Sequence, residues 1–137
     1  FGAKMMEQNK QKKLILIVDD DVDFLTQNKM LLANEGFEVV TAEGQVEAEK
    51  ALKEINPDLV ISDLMMENFD GGFWISETVK KKNPNIPVIL VTSVTRELGL
   101  KFDTTTDDER SWIKADKLLN KPIRFEQLFK EVQKLLK

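Results

Sequence analysis

The chain has 137 residues, of which 42% are hydrophobic and 32% charged, the composition of one ordinary globular domain. It contains no cysteine and no histidine, which excludes disulfides, thiolate or histidine metal sites, and catalytic triads that need histidine. The 20 basic and 24 acidic side chains leave a net charge of -4, which disfavours direct contact with nucleic acid.

No segment of the sequence reads as a membrane anchor or a signal peptide. The longest aliphatic run, residues 14–18, is too short to span a bilayer. We therefore expect a cytoplasmic protein that does not bind membranes. Residues 1–12 are polar and are expected to form a disordered tail, in part residue left from cloning, with Met5 or Met6 as the native start.

Short apolar runs alternate along the chain with amphipathic segments. The runs are continuous in Leu, Ile and Val, which is typical of strands buried on both faces of a parallel sheet. They predict five strands at residues 14–18, 37–42, 59–63, 88–92 and 118–120.

Amphipathic segments between the strands predict the helices. Helices are expected over residues 22–35, 46–55 and 73–82, over an apolar stripe that begins at Phe125, and at unknown bounds within 94–117. Asp20 or Asp21 can cap the first helix, and Gly36 can end it. The alternation predicts a doubly wound, five-stranded parallel α/β sheet of strand order 2-1-3-4-5 with five flanking helices.

Polar residues stand where the predicted strands end. Asp19 and Asp20 follow the first strand, Asp63 and Thr92 end the third and fourth, and Lys121 follows the fifth. Ligands of such sheets bind beyond the carboxyl ends of the strands, so these side chains are expected to meet there. Clustered carboxylates with no His or Cys favour Mg²⁺ or Mn²⁺, and the hydroxyl and ammonium suit phosphoryl oxygens.

Taken singly, each of these residues also has an ordinary explanation. Acids after a strand are often helix caps, and a lysine is usually a surface charge. Residues 19–23 share the first acid spacing of a calcium-binding EF-hand, but Phe24 and Met30 stand where that loop needs Gly and Glu. Residues 19 and 21 also resemble the nucleophile motif of haloacid-dehalogenase phosphatases, although the chain leaves no room for a cap domain. No glycine-rich phosphate loop is present.

With these residues placed, the chain resembles a response-regulator receiver domain of two-component signalling. The resemblance covers residues 13–137, expected to form this one domain. Five segments carry it, namely LIVDDD at 16–21, ISDLMM at 61–66, DG at 70–71, LVTS at 90–93 and NKP at 120–122. Each is weak alone, but together, in order and at the expected strand ends, they are specific.

The resemblance implies a role for each matching position. Asp63 corresponds to the phosphoacceptor, and Asp20, Asp63 and the backbone carbonyl of Met65 to the protein ligands of Mg²⁺. Asp19 corresponds to the acid that holds the metal through water. Thr92 corresponds to the switch hydroxyl, and Lys121 to the lysine that pairs with the phosphoryl group and precedes a usually cis proline.

The mechanism implied by the resemblance is phosphoryl transfer onto Asp63 from a phosphohistidine of a sensor kinase or phosphotransfer protein. Mg²⁺ would be the cofactor, with Mn²⁺ able to substitute. The acyl phosphate would then switch a partner-binding face around the fourth and fifth strands. The chain would not be an enzyme beyond its own phosphotransfer and dephosphorylation. The kinase and the output partner are not identified by the sequence, and a homodimer stays open.

Several positions depart from the family pattern. Leu118 replaces the aromatic switch residue, Glu67 replaces a common proline, and the segment between Thr92 and Lys121 is longer than usual. Met65 and Val94 occupy the two positions that tune hydrolysis, and neither side chain can orient a water molecule. We therefore expect a long-lived aspartyl phosphate.

Two other functions stay open at this stage. One is a receiver-like docking module that works without phosphorylation, which the Leu118 substitution favours mildly and the complete set of acids, threonine and lysine disfavours. The other is a small phosphatase that acts on an external substrate, which multiple turnover on a phosphate ester would reveal.

Overall fold

A computed structural model describes residues 12–63, 71–92 and 115–136 of the chain. These ranges contain five strands and four helices. In chain order they are β1 (Leu14–Val18), α1 (Val22–Asn34), β2 (Glu38–Ala42), α2 (Gln45–Glu54), β3 (Leu59–Asp63), α3 (Gly71–Lys82), β4 (Val88–Thr92), β5 (Lys117–Asn120) and α4 (Phe125–Leu135). The fifth helix, expected within 94–117, falls mainly on residues outside the described ranges.

The five strands form one parallel sheet in the order β2-β1-β3-β4-β5. This is the predicted doubly wound topology. Residues 14–18, 59–63 and 88–92 have the predicted strand bounds, β2 and β5 each begin one residue from the predicted start, and the helix bounds differ by at most two residues. The parallel arrangement brings the carboxyl ends of all five strands to the same edge of the sheet.

The core lies in two layers, one on each face of the sheet. Alternate residues of each strand point to opposite faces, so Leu16 and Ile17 of β1 belong to different layers. Helices α2 and α3 cover the face that includes Leu16, and α1 and α4 cover the other. A strand buried on both faces is apolar at nearly every position, which is why the strands consist of continuous aliphatic runs before their polar ends.

The two ends of α1 follow from local hydrogen bonding. The Asp21 carboxylate accepts hydrogen bonds from the backbone amides of Asp23 and Phe24, at 3.1 and 3.2 Å, and caps the helix. Beyond the other end, Gly36 has a φ of 96°, a left-handed conformation that side chains disfavour. Asp21 is therefore the cap, and Gly36 is the predicted stop.

The chain has two tryptophans, at positions 74 and 112. Trp74 is half-buried against the layer covered by α2 and α3. Trp112 lies outside the described residues. Of the helices that the structure describes, none has the length and apolar character needed to cross a membrane.

Candidate functional site

The polar residues singled out in the sequence meet at the carboxyl edge of the sheet. Asp19 directly follows β1, Asp63 and Thr92 are the last residues of β3 and β4, and Lys121 directly follows β5. Main-chain hydrogen bonds extend the sheet to these positions. The amide of Asp19 donates to the carbonyl of Ala42 at 3.1 Å, and the amide of Lys121 donates to the carbonyl of Thr92 at 2.9 Å.

Three carboxylates form the centre of this edge. One oxygen each of Asp19, Asp20 and Asp63 lies within 4.8 Å of the others. Asp19 is fully buried and Asp63 is 8% exposed, whereas Asp20 is exposed. Burial strengthens the repulsion between like charges, so a bound cation would stabilise the three carboxylates. An all-oxygen donor set of this size fits a hard divalent ion such as Mg²⁺ or Mn²⁺.

Lys121 supplies one positive charge to the cluster. Its Nζ donates a hydrogen bond to Asp19 Oδ2 at 2.9 Å and lies 3.6 Å from Asp63 Oδ2. Its side chain is 20% exposed, so both ion pairs are partly shielded from water. One lysine does not balance three carboxylates, and the site keeps an excess of negative charge.

The excess negative charge and the burial shift the pKa values of both partners. Burial raises the pKa of Asp19, against the opposing hydrogen bonds from the Asp21 amide and from Lys121. Burial lowers the pKa of Lys121, but the hydrogen bond to Asp19 and the charges of Asp19 and Asp63 outweigh it, so the lysine pKa is raised. Lys121 is therefore a permanent cation at neutral pH.

Thr92 is fully buried at the end of β4. Its position in the strand places it on the same sheet face as Leu90, which pairs with Leu118 of β5. Leu118 is itself buried among the residues of that face. The position that departs from the family's aromatic residue therefore belongs to the core layer beside Thr92.

The remaining expectations concern the peptide bond before Pro122, three residues near the site, and Asp21. The Lys121–Pro122 peptide bond is cis, as the resemblance implied. Met65, Glu67 and Val94 lie outside the described residues, so the predictions for them stay predictions. Asp21 caps α1, which is the ordinary explanation that the sequence also allowed.

One contact at the site was not expected from the sequence, namely that between Phe24 and Lys121. The Lys121 ammonium lies over the ring of Phe24, with Nζ 4.8 Å from the ring centroid. Phe24 is on the first turn of α1, far from the lysine in the chain. Its aromatic character was visible in the sequence, but only the packing of α1 against the sheet reveals the contact.

Comparisons with known proteins agree with this geometry. A family model described as the response regulator receiver domain matches residues 15–133. The chain is 42% identical over 79 residues to the transcriptional regulatory protein GlrR of Escherichia coli K12, which is 58% of this chain and 18% of that protein. It is 33% identical over 132 residues to the probable transcriptional regulator ycf27 of Cyanophora paradoxa, or 96% of this chain and 51% of that protein. The chain thus spans about half or less of these curated relatives.

Solved structures give the same fold. A CheY-like receiver domain protein from Methanospirillum hungatei superposes with a TM-score of 0.75 at 25% identity, covering 92% of this chain and 94% of that one. The response regulator TrrA of Thermotoga maritima, solved in complex with Mg²⁺ and BeF, gives a TM-score of 0.71 at 32% identity. That match covers 90% of this chain and 99% of the other.

Proposed function

Because the chain belongs to the family of response-regulator receiver domains, we propose that it is a phosphoacceptor of a two-component signalling system. In this proposal Asp63 takes a phosphoryl group from a phosphohistidine, and the modified domain then presents a changed partner-binding face. The observation that carries the proposal is the meeting of Asp19, Asp20 and Asp63 with the Lys121 ammonium at one sheet edge.

The proposed step is a displacement at phosphorus. An Asp63 carboxylate oxygen forms the new P–O bond while the P–N bond of the phosphohistidine breaks, and the departing imidazole keeps the electron pair and takes a proton from solvent. Lys121, already 3.6 Å from Asp63, is placed to neutralise the oxygens of the transferred group. Thr92 is the proposed hydroxyl partner of that group afterwards.

The acidic cluster is the proposed binding site for Mg²⁺. Asp20, Asp63 and the backbone carbonyl of Met65 would hold the ion directly, with Asp19 acting through water, and Mn²⁺ is expected to substitute. When bound, the ion supplies positive charge that stabilises the charge developing on the phosphoryl oxygens. The all-oxygen donor set and the uncompensated negative charge support this assignment.

The proposal includes partners but no external substrate. The phosphoryl donor is a sensor histidine kinase or a phosphotransfer protein, and the output is an unidentified protein that contacts the face around β4 and β5. We propose no direct contact with nucleic acid or membrane, a cytoplasmic location as in the family, and a chain that catalyses only its own phosphotransfer and dephosphorylation. Residues 13–137 are proposed as the receiver domain.

Intact mass after incubation with acetyl phosphate tests the proposal. The wild type is expected to gain one phosphoryl group in the presence of Mg²⁺ and none when the metal is chelated. Asp63→Asn should gain none under either condition. Asp23→Asn is the matched control, because this exposed acid in the first turn of α1 lies outside the acidic cluster and should label like the wild type.

The second candidate is a docking module that works without phosphorylation. Leu118 favours it, since the position that carries the family's aromatic switch residue is occupied here by a buried aliphatic side chain. Absence of any adduct from the wild type, with Mg²⁺ present and the protein folded, would favour this reading over phosphotransfer.

A further inference from the structure

The aromatic ring of Phe24 contacts the ammonium group of Lys121. The lysine Nζ is 4.8 Å from the centroid of the Phe24 ring, within the range of a cation–π interaction. The same Nζ is bound to Asp19 at 2.9 Å and lies 3.6 Å from Asp63. The ammonium therefore contacts an aromatic face and two carboxylates at the same time.

We propose that Phe24 is a positioning residue, whose aromatic face holds the Lys121 ammonium where it reaches both Asp19 and Asp63. The proposal rests on the function proposed above only in its consequence for phosphorylation. The positioning itself is a property of the unmodified protein and can be measured without any phosphoryl donor.

Three observations support a positioning role rather than chance proximity. Lysine carries four rotatable side-chain bonds, so a group that narrows its range increases the time spent at the productive position. The Lys121 side chain is 20% exposed, and partial exclusion of water strengthens the attraction of its ammonium to the ring. The ring is a third contact of Nζ, beside Asp19 and Asp63, and it adds to the restraint that the hydrogen bond to Asp19 provides.

Partial burial and backbone hydrogen bonds restrain Phe24. Phe24 is half-buried against the layer covered by α1 and α4. Its carbonyl oxygen accepts a hydrogen bond of 2.8 Å from the side-chain amide of Asn28, a buried residue one turn along α1. The cap at Asp21 fixes the start of the same turn. Phe24 therefore belongs to a helix start whose backbone is held by hydrogen bonds from Asn28 and to Asp21.

The first test is the NMR chemical shift of the Lys121 ε-methylene protons in the unmodified protein. Ring current from Phe24 should move them upfield of those of exposed lysines, and Phe24→Leu should return them to ordinary values. Phe24→Tyr keeps an aromatic face and should keep the upfield shift. Unshifted Lys121 ε protons in the wild type would overturn the proposal, whether or not the protein can be phosphorylated.

The second test is the rate of labelling by acetyl phosphate with Mg²⁺. Cation–π energies correspond to about a two- to thirtyfold change in population, and we expect Phe24→Leu to slow labelling by about three- to tenfold. Phe24→Tyr should restore most of the rate. In a Lys121→Ala background, the added Phe24→Leu substitution should leave the remaining rate unchanged, because the group it positions is absent.

Phe129→Leu is the matched control for loss of a core ring. Phe129 lies in the same core layer, where it stacks on Phe125 at 5.6 Å between centroids. Its replacement should lower the free energy of unfolding without changing the labelling rate or the Lys121 ε-proton shifts. Equal slowing by Phe129→Leu and Phe24→Leu would show a general packing effect and would overturn the positioning role. Absence of labelling in the wild type would contradict the proposed function, while the NMR result would still decide the role of Phe24.

Discussion

Asp63→Asn should make the protein more stable in the absence of divalent metal. The substitution keeps the shape of the side chain and removes one of three carboxylate charges whose oxygens lie within 4.8 Å of one another. Asp63 is 8% exposed, so water screens its charge poorly. The variant therefore reports whether the acidic cluster is electrostatically strained before any ligand binds.

The size of the effect follows from the distances. At an effective dielectric constant of about 20, unit charges at 4.8 Å, the upper limit of the separations in the cluster, repel by about 3.5 kcal/mol, and opposite charges 3.6 Å apart attract by about 4.6 kcal/mol. Two repulsions from Asp19 and Asp20, less the attraction of Lys121, leave about 2 kcal/mol of net repulsion on Asp63. Because Asp20 is exposed, we expect a gain of about 1 kcal/mol in the free energy of unfolding.

Urea unfolding monitored by tryptophan fluorescence, with chelator or with Mg²⁺, measures the effect. Mg²⁺ at a hundredfold excess over its dissociation constant should stabilise the wild type by about 2.7 kcal/mol, and the Asn variant by much less at the same concentration. Glu38→Gln is the control, since this exposed acid lies at the opposite edge of the sheet and should change neither value. A destabilised Asn variant without metal, or equal stabilisation of both proteins by Mg²⁺, would refute the electrostatic account.

Substitutions at three further positions test other stabilising interactions by urea unfolding. Lys121→Ala leaves the buried Asp19 carboxylate without its ammonium partner and should cost about 2 to 3 kcal/mol at neutral pH. Burial already raises the pKa of Asp19, and a raised pKa in the folded state favours folding at low pH. The loss of stability in Lys121→Ala should therefore shrink as the pH falls. A loss that is independent of pH would contradict a charge effect at Asp19. Gly36→Ala should lower the free energy of unfolding by about 1 kcal/mol because φ at this position is 96°. Gly36→Asn should lower it less, since Asn tolerates that conformation. Equal losses for the two variants would argue against backbone strain. Asp116→Ala removes an acceptor of the Val88 amide at 2.8 Å and should cost about 1 kcal/mol, whereas an unchanged stability would mean that water replaces the carboxylate.

The sequence predicted the central sheet well for a physical reason. Strands β1, β3 and β4 are buried along nearly their whole length, so they consist almost entirely of apolar residues, and the change to polar residues falls at or within one residue of the strand end. The same rule located Asp19 and Thr92 at the sheet edge. The start of α3 at Gly71 was less predictable, because glycine is a weak helix former and the apolar pattern begins later.

The contact between Phe24 and Lys121 could not be predicted from the sequence. It joins the first turn of α1 to the loop after β5, and its distance depends on how α1 packs on the sheet. The pairing of Lys121 with both Asp19 and Asp63 is of the same kind. Spacing along the chain indicates which residues share an edge, but only the packed structure shows which atoms meet.

The location of the phosphoryl group shows directly whether Asp63 is the phosphoacceptor. The wild type would be labelled with acetyl phosphate and Mg²⁺, reduced with borohydride to convert an aspartyl phosphate to homoserine, and digested for peptide mass analysis. We expect homoserine in place of Asp63 and at neither Asp19 nor Asp20. Reduction at another residue, or an adduct that resists borohydride, would contradict the assignment of Asp63 as the phosphoacceptor.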